Sequence, residues 1–130
     1  MKIAITAKSN ILESDIDPRF GRCSYFLIID IDTMSFEPIS NENAMASGGA
    51  GIQAAQTIAK AGVEVVVTGN MGPNAFQTLS AAGIKVFTGA NGTVKESIEK
   101  YKKGELEKIE SANVGSHSGM KTTDRGFGRG

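Results

Sequence analysis

Val63-Glu64-Val65-Val66-Val67-Thr68-Gly69-Asn70-Met71-Gly72-Pro73-Asn74-Ala75-Phe76 is the stretch that decides the fold. Val63 to Thr68 is a β-branched run and reads as a strand. Gly69 to Gly72 turns the chain, and Pro73 suits the first turn of a helix that buries Phe76 and Leu79. Gly83 stops that helix, and Ile84-Lys85-Val86-Phe87 follows as another strand. A strand, a helix and a second strand at this spacing form a parallel crossover unit.

The same logic extends both ways along the chain. Downstream, Thr93-Val94-Lys95-Glu96 is a capping box that starts a last helix, with Val94, Ile98 and Tyr101 on one face. Upstream, Ser47-Gly48-Gly49-Ala50-Gly51 opens a helix whose Ile52, Ala55, Ile58 and Ala59 fall at helical spacing, ending near Gly62. At the start of the chain, Lys2 to Ala7 reads as a strand and Tyr25 to Asp30 as a buried one. Asp32-Thr33 reverses the chain into an edge strand from Met34 to Ile39, where Pro38 is tolerated. The expected fold is three-layer α/β: a mixed sheet of about five strands, antiparallel in its first part and parallel in its second, with flanking helices.

Composition bounds the function classes. A chain of 130 residues with 40% hydrophobic side chains supports one core. Its 14 basic and 14 acidic residues cancel, which removes the field that nucleic acid or an anionic membrane would need. Met1-Lys2 runs directly into Ile3-Ala4-Ile5, too short for a signal-peptide core, and no apolar stretch nears the roughly 20 residues that span a bilayer. A soluble cytoplasmic protein without nucleic-acid or membrane partners is expected. Cys23 is the only cysteine, so an internal disulfide and an intramolecular four-cysteine site are excluded. The pattern fades after 107, and the Gly-rich stretch 108–130 is expected to be a mobile tail on a domain of residues 1–107.

Parallel α/β sheets bind ligands beyond the carboxyl ends of their strands. Two loops are candidates there. Gly48-Gly49-Ala50-Gly51 and Gly69-Asn70-Met71-Gly72, followed by Pro73 and Asn74, both bring unobstructed N–H groups to helix starts and favour an anion, although glycines that merely permit turns would look the same. Gly49 to Ala54 also fits a dinucleotide pattern, but no clear strand precedes it and no acidic residue follows the next strand to hold a ribose. The segment Asp15-Ile16-Asp17-Pro18-Arg19-Phe20-Gly21-Arg22-Cys23 is the richest candidate. Cys23 is either a soft thiolate ligand, its pKa lowered by Arg19 and Arg22, or an inert buried thiol. Glu13, Asp15 and Asp17 are assigned no metal. His117, the only histidine, rules out a multi-histidine site and makes hydrolase chemistry hard to build. It is an exposed bystander or an imidazole able to swing onto a bound cluster.

Arg19-Phe20-Gly21-Arg22-Cys23-Ser24-Tyr25-Phe26, Gly49-Ala50-Gly51-Ile52-Gln53-Ala54-Ala55 and Thr68-Gly69-Asn70-Met71-Gly72-Pro73-Asn74-Ala75-Phe76 closely resemble the dinitrogenase iron-molybdenum cofactor biosynthesis family, over roughly residues 1–107. The resemblance implies a ribonuclease H-like fold without its nuclease activity. It also implies a carrier of an anionic cluster of iron-molybdenum, iron-sulfur or molybdenum-copper-sulfur type, as in nitrogenase cofactor biosynthesis. The family's binding edge maps onto Arg19, Phe20, Gly21, Cys23, the Gly48 to Gly51 loop and the Gly69 to Asn74 loop. Members associated with nitrogenase commonly have histidine before the Phe-Gly pair, where this chain has Arg19. Cys23, with His117, or purely electrostatic capture is then left to hold the cluster. The expected function is a non-catalytic cluster carrier meeting donor and acceptor proteins, monomeric or weakly dimeric. A nucleotide or small-anion binder is the alternative, and a ribonuclease H-like metal-dependent nuclease is a third reading, for which Asp30 and Asp32 do not form an obvious set of metal-holding carboxylates.

Overall fold

The structure, a computed structural model, describes residues 1–41 and 50–110. Its elements are β1 (Lys2–Ala7), β2 (Tyr25–Asp30), β3 (Phe36–Ser40), α1 (Ala50–Lys60), β4 (Val65–Val67), α2 (Pro73–Ala81), β5 (Lys85–Thr88), α3 (Val94–Lys102) and β6 (Glu107–Lys108). The strands form one mixed sheet in the order β3-β2-β1-β4-β5-β6. β1, β4 and β5 are parallel, β2 and β3 continue the sheet antiparallel on one side, and β6 closes it antiparallel on the other.

Alternation along the strands builds two cores on opposite faces of the sheet. Ile3, Ile5, Leu27, Ile29, Val65 and Val67 pack against Val94 and Ile98 of α3. Ala4, Phe26, Ile28, Val66 and Val86 pack against Ala54, Ala55 and Ile58 of α1 and Ala75 and Leu79 of α2. Helices therefore cover both faces, giving the three layers expected. Each large side chain so buried stabilises the fold by roughly 1.5–3 kcal/mol.

The differences from the sequence reading have local causes. Among the described residues the sheet has six strands and not five, because β6 is a two-residue exposed edge held by backbone pairing and leaves no alternation to read. β3 starts at Phe36 because Met34 adopts φ 64° and still belongs to the turn, its N–H donating to the Asp30 carbonyl at 2.7 Å. Ile52 shares the helical spacing of Ala55 and Ile58, which are buried, yet it is 37% exposed. The capping box is present as read: Thr93 Oγ1 accepts from Glu96 N at 3.1 Å and Glu96 Oε1 from Thr93 N at 2.8 Å. Gly48, Gly49 and His117 lie outside the described residues. No helix among the described residues is long and apolar enough to cross a membrane.

Candidate anion-binding site

At the carboxyl ends of β1 and β4 a buried chain of hydroxyls ties two loops together. Thr6 Oγ1 donates to the Asp17 carbonyl at 2.6 Å, so in its 2.9 Å contact with Thr68 Oγ1 the Thr68 hydroxyl is the donor. The Asp17 N–H returns to the Thr6 carbonyl at 3.1 Å, and the Asn70 N–H donates to the Pro18 carbonyl at 2.8 Å. The loops approach so closely at Gly69 that an added Cβ would lie 2.8 Å from Pro18 Cα and Cβ, so only glycine fits.

The segment after Pro18 is held from two sides. Asp17, buried, accepts from the Arg19 N–H at 3.0 Å and from the Arg19 guanidinium, Nε to Oδ1 at 3.1 Å and Nη2 to Oδ2 at 3.2 Å. Asn41, buried at the end of β3, donates through Nδ2 to the carbonyls of Cys23 at 3.0 Å and Gly21 at 3.3 Å, and its N–H donates to Ser24 O at 2.9 Å. Phe20 is buried against Phe26 with ring centroids 5.4 Å apart.

Above this platform lies a cavity of about 480 Å³ lined by residues of three segments: Arg19 to Arg22, the start of α1 (Gly51, Ile52), and Asn70 with the start of α2 (Gly72 to Ala75). The two helices meet at small residues, where a Cβ on Gly51 would lie 3.3 Å from Ala75 Cβ. Gly72 caps α2 without any side-chain bond. The N–H groups of Asn74 and Ala75 have no partner among the described residues. Such groups carry the positive end of the helix dipole. Arg22 is exposed and, among the described residues, has no ion-pair partner. Arg19 is ion-paired with Asp17, whose hydrogen bond raises its already high pKa further. Phe20, Ile52, Pro73 and Ala75 supply an apolar wall. The cavity thus suits an anion with a large, weakly hydrated surface.

Of the residues expected at the site, Arg19, Phe20, Gly21, Gly51, Asn70, Gly72 and Asn74 line the cavity. Gly69 and Met71 do not: Gly69 packs on Pro18, and Met71 is fully buried in the core shared with α1 and α2. Ala50 begins α1. Cys23 is also fully buried, and Sγ donates to the Phe20 carbonyl at 3.3 Å. The expectation that arginines lower its pKa is corrected. Burial first, and then the Asp17 charge, push the thiol up to about 12. The environment is that of the inert alternative, not of a poised thiolate. Arg22 and Pro73, which stood in the two candidate segments, line the cavity as well, whereas Ile52 and Ala75 were missing from the expected site. Ile52 could have been found as the apolar residue directly after a glycine-rich helix start.

The donor set fits capture by charge and hydrogen bonds. No group of three or more His, Cys, Asp and Glu side chains converges among the described residues. Asp30 and Asp32 lie at the other end of the sheet, since Asp30 pairs with Lys2 at the amino end of β1. Asp32 accepts from the Met1 amino group at 2.9 Å, and its N–H bond to Asp30 is the main cause that holds the Asp30 carboxyl below its usual range. The segment 41–49 separates β3 from α1, unlike the tight strand-to-helix turn of a dinucleotide site.

Comparison with known proteins agrees with this architecture. The apo form of the orange protein from Desulfovibrio gigas is 41% identical with a TM-score of 0.84, over 87% of this chain and 96% of that one. A NifB-like protein of Thermotoga, solved by NMR, is 32% identical with a TM-score of 0.74, over 87% of this chain and 97% of that one. An uncharacterized protein of Methanocaldococcus jannaschii is 34% identical over 113 residues, 85% of this chain and 92% of its own length. The family profile described as dinitrogenase iron-molybdenum cofactor matches residues 1–104, and the chain belongs to that family.

Proposed function

We propose that the chain is a non-catalytic carrier of an anionic metal-sulfur cluster, of iron-molybdenum, iron-sulfur or molybdenum-copper-sulfur type, passed between donor and acceptor proteins. The observation that carries this reading is the convergence of two helix starts, Arg19 and Arg22 on one cavity with an apolar wall. Its volume of about 480 Å³ falls in the roughly 300–1,000 Å³ range of small-ligand sites. Helix N–H groups and arginine balance the negative charge of a sulfide-capped cluster, and Phe20 and Ile52 match its polarizable surface. Cargo held this way, without a thiolate bond, can be released intact to an acceptor. Membership of a family named for the iron-molybdenum cofactor supports the same ligand class.

The test is anaerobic purification from the native host or a cluster-synthesising strain, followed by metal analysis and visible absorption of wild type, Arg22→Ala and Cys23→Ala. Stoichiometric iron, molybdenum or copper with a charge-transfer band, reduced in Arg22→Ala and kept in Cys23→Ala, is expected. A metal-free protein that also refuses tetrathiomolybdate and reconstituted iron-sulfur clusters would sink this reading.

A further inference from the structure

A trans peptide holds its C=O antiparallel to the next residue's N–H, so whatever takes the carbonyl also decides where that N–H points. Two successive peptides beside the cavity have their carbonyls taken from the core side. The Gly21 carbonyl accepts from Asn41 Nδ2 at 3.3 Å, and the Phe20 carbonyl from the buried Cys23 Sγ at 3.3 Å. Both peptides are trans, so the Arg22 N–H runs away from Asn41 and the Gly21 N–H away from Cys23. Neither N–H has a hydrogen-bond partner among the described residues, and both residues line the cavity. Asn41 is firmly placed: it is 7% exposed, its own N–H donates to Ser24 O at 2.9 Å, and Nδ2 also donates to Cys23 O at 3.0 Å. Only the NH₂ end of its side chain can serve two carbonyls, which fixes its orientation, while the Cys23 S–H is the weaker brace.

We propose that Asn41 is a positioning residue of the cavity: by holding the Gly21 carbonyl inward, it aims the Arg22 N–H, with that of Gly21 beside it, at the bound anion. The proposal rests on the anion-binding reading above. Successive N–H groups in a turn form a concave cradle for anions. This one adds a second set of main-chain donors to those of the open start of α2. Arg22 then acts twice, its guanidinium supplying charge and its main-chain N–H supplying direction.

The test follows amide shifts, amide exchange and affinity in anaerobic titrations with tetrathiomolybdate. In wild type the Arg22 N–H is expected to exchange rapidly before binding, and to shift and become protected at saturation together with Asn74 and Ala75. In Asn41→Ala the response of Arg22 should collapse while the α2 amides still shift, and affinity should fall about tenfold, the worth of one charged hydrogen bond. Arg22→Ala keeps the main-chain donor and should still show the shift at position 22. The losses from Asn41→Ala and Arg22→Ala should therefore add in the double variant to within about twofold. A folded Asn41→Ala protein with unchanged affinity overturns the proposal. So does a double variant that binds no worse than Arg22→Ala, because Asn41 would then act only through the guanidinium. Should Asn41→Ala not fold, the wild-type titration decides: an Arg22 N–H protected before ligand is added, or unmoved while Asn74 and Ala75 shift, overturns the proposal and leaves the anion-binding reading standing. Wild type with no shift anywhere overturns that reading, and this inference with it.

Discussion

Two helix starts in this molecule solve the same problem in opposite ways. At α3 the four leading N–H groups are all used: Val94 donates to Ser14 O at 2.8 Å, Lys95 to Leu12 O at 3.1 Å, Glu96 to Thr93 Oγ1 at 3.1 Å and Ser97 to Thr93 O at 3.0 Å. At α2 the cap is Gly72, no side chain reaches back, and Asn74 and Ala75 offer their N–H groups toward a cavity with two arginines. The closed start serves stability. The open one forgoes a few tenths of a kcal/mol of capping, and the cavity beside it gives that loss a purpose. An uncapped helix start in a fold that caps another fully is thus a better pointer to a ligand than a glycine-rich loop alone.

The largest expected effect concerns the layer beneath the open start. Unfolded, the Cys23 thiol ionises near 9.0; folded, it keeps its proton to about 12. Stability from this group is therefore whole below about pH 9 and is lost as pH rises toward 12, by roughly 1.4 kcal/mol per unit. Urea midpoints at about pH 8 and about pH 10 should converge between wild type and Cys23→Ala as pH rises. Gly69→Ala should cost about 1–3 kcal/mol, because its Cβ drives the two loops apart at Pro18, and it should abolish tetrathiomolybdate binding. Thr93→Ala removes the closed start's cap and should cost about 1 kcal/mol in a thermal melt with binding unchanged. Gly72→Ser closes the open start: its φ of −80° accepts any residue, so stability should rise by a few tenths of a kcal/mol while anion affinity falls. If both Thr93→Ala and Gly72→Ser left binding untouched, the contrast between the two starts would have no functional content.

Most of the fold was legible in the sequence. Val63 to Phe87 gave a parallel unit because β-branched runs, glycine and Pro73 change the hydrophobic period at each boundary, and Thr93 to Glu96 gave a helix start to the residue. β6 was not legible, because a strand of two exposed residues carries no pattern. The candidate site was half legible. Phe20-Gly21 and Gly72-Pro73-Asn74 were found because loops beyond the carboxyl ends of parallel strands converge by topology. Cys23 and Met71 sit in the same loops but turn inward, and composition does not tell which side of a loop faces the core. Asp17 was read as one of several solvated carboxylates; it is buried because its backbone is tied to Thr6, which in turn meets Thr68 across 62 positions of sequence, a contact that spacing alone does not reveal.

The most direct test of the central claim is a ¹⁵N amide titration of the wild-type protein with tetrathiomolybdate under anaerobic conditions. The account predicts saturable shifts centred on Arg22, Gly72, Asn74 and Ala75, with Val94, Lys95 and Glu96 unmoved. Shifts that are absent at α2, or equally large at both helix starts, would contradict it.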